Sequence, residues 1–212
     1  MPRVNMRIAA AMIAALLFPA SALAAAPAIE VVSKGLRATG ITPGSDAVWF
    51  GMTIDTLAMT RALTRHAAVV RDTDGDGAVL YDMPRISRFS LLFVVDATTG
   101  EYAVFRAEGV DAIEHDLHGK RWRAGLEDFD LHADVLEVLV VRPGEGAWTT
   151  SAMEGGANDG DGRRDGKFRL KVRDMDPIVA TNNKPQSNVR RNDLLVMIDA
   201  RTLAYAVRPA QE

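Results

Sequence analysis

Apolar residues come along this chain in short runs separated by Gly, Pro, Asp and Asn. The runs Ile29–Ser33, Leu36–Ile41, Ala47–Ile54, Met59–Val70, Ala78–Asp82, Phe89–Val95 and Tyr102–Arg106 read as β-strands. Period-two alternation puts Phe89, Leu91, Phe93 and Val95 on one face. Thr42-Pro43-Gly44-Ser45-Asp46 reads as a tight turn, with Pro presetting φ and Gly free to take φ > 0. Many short strands with turn signals between them predict an all-β sandwich.

The second half repeats the first. Val95-Asp96-Ala97-Thr98-Thr99-Gly100-Glu101-Tyr102-Ala103-Val104 matches Ile198–Val207 at an offset of 103, with Asp, Ala, Thr, Tyr, Ala and Val identical. Leu36-Arg37-Ala38-Thr39-Gly40-Ile41 recurs as Trp122-Arg123-Ala124-Gly125-Leu126. Asp76-Gly77 recurs as Asp165-Gly166 at an offset of 89. Three matches in one order predict an internal duplication, with copies over residues 28–106 and 107–210 as tandem sandwiches or fused into one larger sandwich. The difference between the offsets places a 14-residue insertion within Asp174–Asp193 of the second copy. That polar loop is either an irregular excursion or a functional one, with Lys184, Arg190 and Arg191 suited to an anionic partner.

The repeat also bears on a local ambiguity. Ile54, Leu57, Ala58, Arg61, Ala62 and Arg65 fall at helical spacing. The equivalent stretch is Val135–Val141, then Arg142-Pro143-Gly144-Glu145-Gly146, then Ala147–Met153, which reads as strand, turn, strand. With copies of nearly equal length here, Asp55–Ala58 is expected to turn and Met59–Val70 to form a strand. The strand spacing, together with turns such as Gly40-Ile41-Thr42-Pro43-Gly44, resembles immunoglobulin-like bacterial surface modules of the TIG/IPT kind. The resemblance implies two immunoglobulin-like β-sandwich repeats, without the cysteine pair of antibody domains.

The N-terminus carries a different pattern. Arg3 and Arg7 precede an apolar run from Ile8 to Phe18, Pro19 breaks it, and Ala22-Leu23-Ala24 fits a small-x-small cleavage site. Residues 1–24 therefore read as a signal peptide, and the product as secreted or periplasmic. The run is shorter than the roughly 20 residues that span a bilayer, and no later stretch is long enough, so no membrane span is expected. Without residues 1–24 the chain keeps 23 basic residues against 28 acidic ones. A net negative surface does not attract nucleic acid. With no cysteine, rigidity must come from the core or from bound metal.

Candidate chemistry centres on Asp72-Thr73-Asp74-Gly75-Asp76-Gly77. Calcium takes six to eight oxygen ligands. Carboxylates at alternate positions converge on one point when glycines let the backbone fold back. Asp72, Asp74 and Asp76 are the expected side-chain ligands, with the carbonyl of Ala78 as a fourth. The string resembles the DxDxDG loops of EF-hands, dockerins and thrombospondin type 3 repeats. It departs from the EF-hand at the twelfth position, where Met83 stands in place of a bidentate Glu. Structural calcium of millimolar-range affinity follows. The second loop, Asn158 to Gly166, offers Asp159, Asp161 and Asp165, but Arg163 stands where the first has Asp74. Either Arg163 neutralises the acids or a shifted register restores a ligand set.

Glu114, His115, His118 and His132 would be needed for a zinc-dependent hydrolase, but ordinary surface histidines are the better reading. Trp49, Trp122 and Trp148 are candidates for a sugar-stacking platform; Trp49 reads as core, and Trp148, beside the Pro-Gly turn, is the best candidate for an exposed ring. No Cys nucleophile, Gly-x-Ser-x-Gly string, phosphate-cradling loop or dinucleotide fingerprint occurs. The expectation is a non-catalytic, calcium-stabilised protein with a binding or structural role at the cell envelope, its partner an envelope protein or a glycan. The alternatives are a carbohydrate-binding module and a histidine-site metal-dependent hydrolase.

Overall fold

A computed structural model describes residues 26–55, 62–83, 90–107, 135–153, 176–180, 192–200 and 203–209. Strands β1 (Ala28–Val32), β2 (Gly35–Thr39) and β5 (Ala78–Asp82) form an outer sheet in the order β1-β2-β5. Strands β3 (Asp46–Asp55), β4 (Ala62–Arg71), β6 (Ser90–Asp96) and β7 (Tyr102–Arg106) form a middle sheet ordered β4-β3-β6-β7. Strands β8 (Val135–Arg142), β9 (Gly146–Met153), β10 (Asp176–Ala180), β11 (Leu194–Asp199) and β12 (Tyr205–Pro209) form a third, ordered β10-β9-β8-β11-β12. Every paired strand is antiparallel. Among the described residues there is no helix, and none long and apolar enough to cross a membrane. The helical spacing around Ala62 and Arg65 thus yields to strand pairing, which satisfies the backbone of β4 against β3. Residues 1–24, expected to form a signal peptide, and residues 56–61 lie outside the described residues.

Two cores flank the middle sheet. Leu91, Phe93 and Val95 of β6, with Val48, Phe50 and Met52 of β3, face Leu139, Val141, Leu194, Val196 and Ile198 of the third sheet. The intervening residues Trp49, Leu92 and Val94 face Leu36, Ala38 and Val79 of the outer sheet. Burial of both faces explains why β6 reads SLLFVVD, apolar at consecutive positions. Each such side chain removed from water contributes about 1.5–3 kcal/mol.

The third sheet follows the middle one in detail. Ala47 pairs with Asp96 in the middle sheet, and Leu136 pairs with Asp199 in the third. These pairs reproduce, for the central strands, the offsets of 89 and 103 present in the sequence. The hairpin turns correspond as well. The Asp96 amide donates to the Glu101 carbonyl (2.9 Å) and the Gly100 amide to that of Asp96 (2.8 Å). Asp199 and Leu203 do the same, with Asp199 to Ala204 at 2.8 Å and Leu203 to Asp199 at 2.9 Å. The Ala97 amide donates to Asp46 and the Ala200 amide to Val135, again the same pair. Gly100 has φ +77°, and Leu203 takes φ +60° in its place, a left-handed conformation offset by burying the Leu203 side chain in the shared core. One expectation needs correcting. Ala47 pairs with Val70, but Leu136 pairs with Ala152, so the second hairpin is seven residues shorter than the first and not nearly equal to it. The tight Pro143-Gly144 turn causes the difference: Glu145 donates to the Arg142 carbonyl, and β9 resumes at Gly146.

Candidate metal centre

The acidic loop sits between the end of β4 and the start of β5, stitched to the turn before β3. Ile41 donates its amide to the Gly77 carbonyl, and Asp72 donates its amide to Ser45, both at 3.0 Å. A side chain at Gly77 would meet the Ile41 carbonyl oxygen at 2.9 Å, and the residue has φ +75°, so glycine is required on both counts. The turn itself closes as its sequence predicts, with Ser45 donating to Thr42 at 2.8 Å and Gly44 at φ +75°.

Asp72 is 2% exposed, unlike its neighbours. Its Oδ2 accepts the amides of Gly44 and Gly77 at 3.0 Å, and Oδ1 accepts that of Gly75 at 2.9 Å. The Gly44 amide above all holds this carboxyl below the ordinary carboxylate range; burial opposes that effect, and Gly77, Asp74 and Gly75 reinforce it. Asp74 and Asp76 are exposed and each accepts one loop amide, from Asp76 at 3.4 Å and from Ala78 at 2.8 Å. One oxygen from each of the three carboxylates lies within 4.8 Å of the others. Two oxygens on one calcium lie no more than about twice 2.3–2.6 Å apart, so this spacing suits a shared ion. The donor set is all hard oxygen, which excludes soft-metal chemistry and favours calcium or magnesium. Exposure of Asp74 and Asp76 leaves room for water ligands.

A second carboxylate, which sequence reasoning missed, grips the same turn. Asp96 is 1% exposed. Its Oδ2 accepts the Thr42 amide (2.7 Å) and hydroxyl (2.6 Å). Its Oδ1 accepts the Ser45 hydroxyl (3.0 Å) and the amides of Thr98 (2.7 Å) and Thr99 (3.4 Å). Burial pushes this carboxyl up, but the Thr42, Thr98 and Ser45 bonds outweigh it and hold it low. Asp followed by Ala-Thr-Thr-Gly is an Asx-turn signal for the Thr98 and Thr99 bonds, but nothing local signals the grip on the Thr42 turn. Gly144 of the third sheet donates to the Ala97 carbonyl at 2.7 Å, so the same end of the molecule joins all three sheets. A polar cleft of about 180 Å³ opens there between Ser45, Asp46, Arg71, Thr98 and Glu145.

The other expected residues are placed as follows. Ala78 opens β5 opposite Thr39. Asp159, Asp161, Arg163 and Asp165 of the second loop lie outside the described residues, as do Glu114, His115, His118, His132, Trp122, Lys184, Arg190 and Arg191. Trp49 is fully buried and stacks on Tyr81 with centroids 5.3 Å apart. Trp148 is a correction: only 1% is exposed, so its ring presents no face to a sugar. The short turn sets it two residues into β9, opposite Val140, with the Arg142 guanidinium 5.3 Å above the ring. Sequence reasoning also missed the Arg142–Asp193 ion pair, bidentate at 2.8 and 2.9 Å with both residues buried. No protein family, curated protein or solved structure matches this chain.

Proposed function

We propose that this is a non-catalytic, secreted or periplasmic β-sandwich protein, stiffened by calcium at Asp72, Asp74, Asp76 and Ala78, with a binding or structural role at the cell envelope. The observation that carries the metal reading is the convergence of three carboxylate oxygens on a loop already folded by its own backbone bonds. Preorganisation of this kind lowers the ordering cost of binding. The immunoglobulin-like reading draws support from strand order. The outer sheet β1-β2-β5 and the middle sheet β4-β3-β6-β7 follow the arrangement A-B-E against C′-C-F-G of such sandwiches. Burial of Trp148 takes away the ring on which the carbohydrate-binding alternative rested. A partner would therefore meet loops or sheet edges, and an envelope protein fits better than a glycan.

Calcium titration followed by calorimetry and thermal melting tests the metal reading. The expected Kd is on the order of 10⁻⁴–10⁻³ M. At ten times Kd the melting temperature should rise by roughly 3–6 °C. Asp74→Ala should remove most of that rise and leave the metal-free melting temperature nearly unchanged, because Asp74 is exposed. A flat response at millimolar calcium overturns the reading.

A further inference from the structure

The histidine of β4 occupies a place in the fold that no metal or loop argument reaches. His66 is half-buried between the middle and outer sheets. Its Nε2 lies 2.8 Å from the Thr53 hydroxyl on β3, and its Nδ1 lies 3.2 Å from the Tyr81 hydroxyl on β5. Thr53 in turn is 3.3 Å from the Ser90 hydroxyl on β6. Thr53 and Ser90 are buried, at 8% and 0% exposure. Four side chains from four strands thus form one uncharged relay, and its Tyr81 end is in the outer sheet.

The same three positions of the middle sheet recur in the third sheet. In strand register Thr53 corresponds to Arg142, Ser90 to Asp193 and His66 to Trp148. There the place is held by a guanidinium, charged at every physiological pH, against a carboxylate. One half closes this position with an ion pair, the other with an imidazole that can change its charge with pH.

From this geometry we propose that His66 is a pH-responsive latch that holds the outer sheet to the middle sheet while its ring is neutral. A neutral imidazole donates from one nitrogen and accepts at the other, which suits a chain of hydroxyls on both sides. Protonation makes both nitrogens donors and places a full charge on a half-buried ring set edge-on to Tyr81, where burial disfavours it. Among the side chains described, none of the ring's hydrogen bonds or ion pairs is to a carboxylate; the Asp55 side chain at the end of β3 lies outside them. On β4, Arg65 points the other way, to Glu137 at 3.4 Å, and Arg71 reaches Asp46 at the far end. On β2 and β5, Arg37 pairs with Glu30 on the outer face, and Asp82 is exposed. On β3 and β6, Asp46 and Asp96 belong to the far end, with the loops. Tyr81, whose phenol burial pushes up, stays neutral. Burial also sets the His66 pKa below 6.5. The latch is therefore fully closed above 6.5 and weakens as pH falls from there toward the folded-state value.

The test is denaturant unfolding of the full chain in steps from about pH 8 to about pH 5, beside His66→Gln, whose amide keeps a donor and an acceptor without titrating. The wild-type unfolding constant should rise below pH 6.5, by no more than about tenfold per pH unit for this one site, and His66→Gln should remove that part of the slope. Amide exchange at low pH should accelerate in β2 and β5 before β3 and β6. NMR titration of the wild-type His66 ring gives a second reading that needs no variant. Equal slopes for wild type and His66→Gln, or a ring pKa at or above 6.5, overturn the proposal.

Discussion

Asp193→Ala is expected to lower stability by about 3–5 kcal/mol, because it breaks a buried, bidentate ion pair by removing one partner. Arg142 and Asp193 are 5% and 1% exposed and meet through two parallel bonds. Glu145, 3.6 Å from Arg142, is half in solvent and so a weaker partner than Asp193. For a chain of this size the loss corresponds to a melting temperature lowered by roughly 10 °C. Paired replacement, Arg142→Met with Asp193→Leu, should restore most of the stability, since an apolar pair of similar volume carries no desolvation cost. Denaturant midpoints of the single and double variants measure both effects. A single variant within about 1 kcal/mol of wild type would mean that the pair is hydrated in solution.

Asp72→Ala is the second large effect, and it separates the two kinds of aspartate in the loop. Removing this carboxylate leaves the amides of Gly44, Gly75 and Gly77 without their acceptor at a buried position. The loop and the turn before β3 lose their tie together, so the melting temperature should fall in the absence of calcium, and further than for Asp74→Ala or Asp76→Ala. Acid should act in the same way. Because the folded-state carboxyls of Asp72 and Asp96 titrate below 3.8, their contribution is complete above that value and disappears as pH falls through the lower one. Thermal melts across that range, with Asp72→Asn as control, report the loss. An Asp72→Ala protein as stable as wild type without calcium would show that the loop is held by other bonds.

The strands of this protein were legible because turn residues bracket them. β5 and β7 occupy the expected runs Ala78–Asp82 and Tyr102–Arg106, and the Thr42–Asp46 turn closes where Pro43 and Gly44 require. The acidic loop was legible as a cluster but not in its division of labour. Nothing in DTDGDG tells which aspartate turns inward, since that depends on Gly44, 28 residues away. Trp148 misled for a related reason: a ring beside a turn is exposed unless the turn is tight enough to return it to the sheet. Asp96 and Asp193 escaped notice because a lone acid ending or opening a strand has no local signature of burial; only partners from other strands create it. Equal hairpin length in the two halves was an assumption of alignment, and the register between β8 and β9 corrects it.

The packing of the middle sheet on the third has a consequence for a single half on its own. The residues that meet across the shared core are register-equivalent: Phe50 and Leu139, Met52 and Val141, Phe93 and Val196, Val95 and Ile198. Packing of a face on its register-equivalent has the geometry of an isologous two-fold contact, with different residues on the two sides. A chain ending after β7 would bare Val48, Phe50, Met52, Leu91, Phe93 and Val95 to water. Such a fragment should dimerise, with its affinity set by concentration, and light scattering would show it. In the intact chain, covalent linkage makes that encounter intramolecular, so what would otherwise be subunit assembly becomes a step of folding.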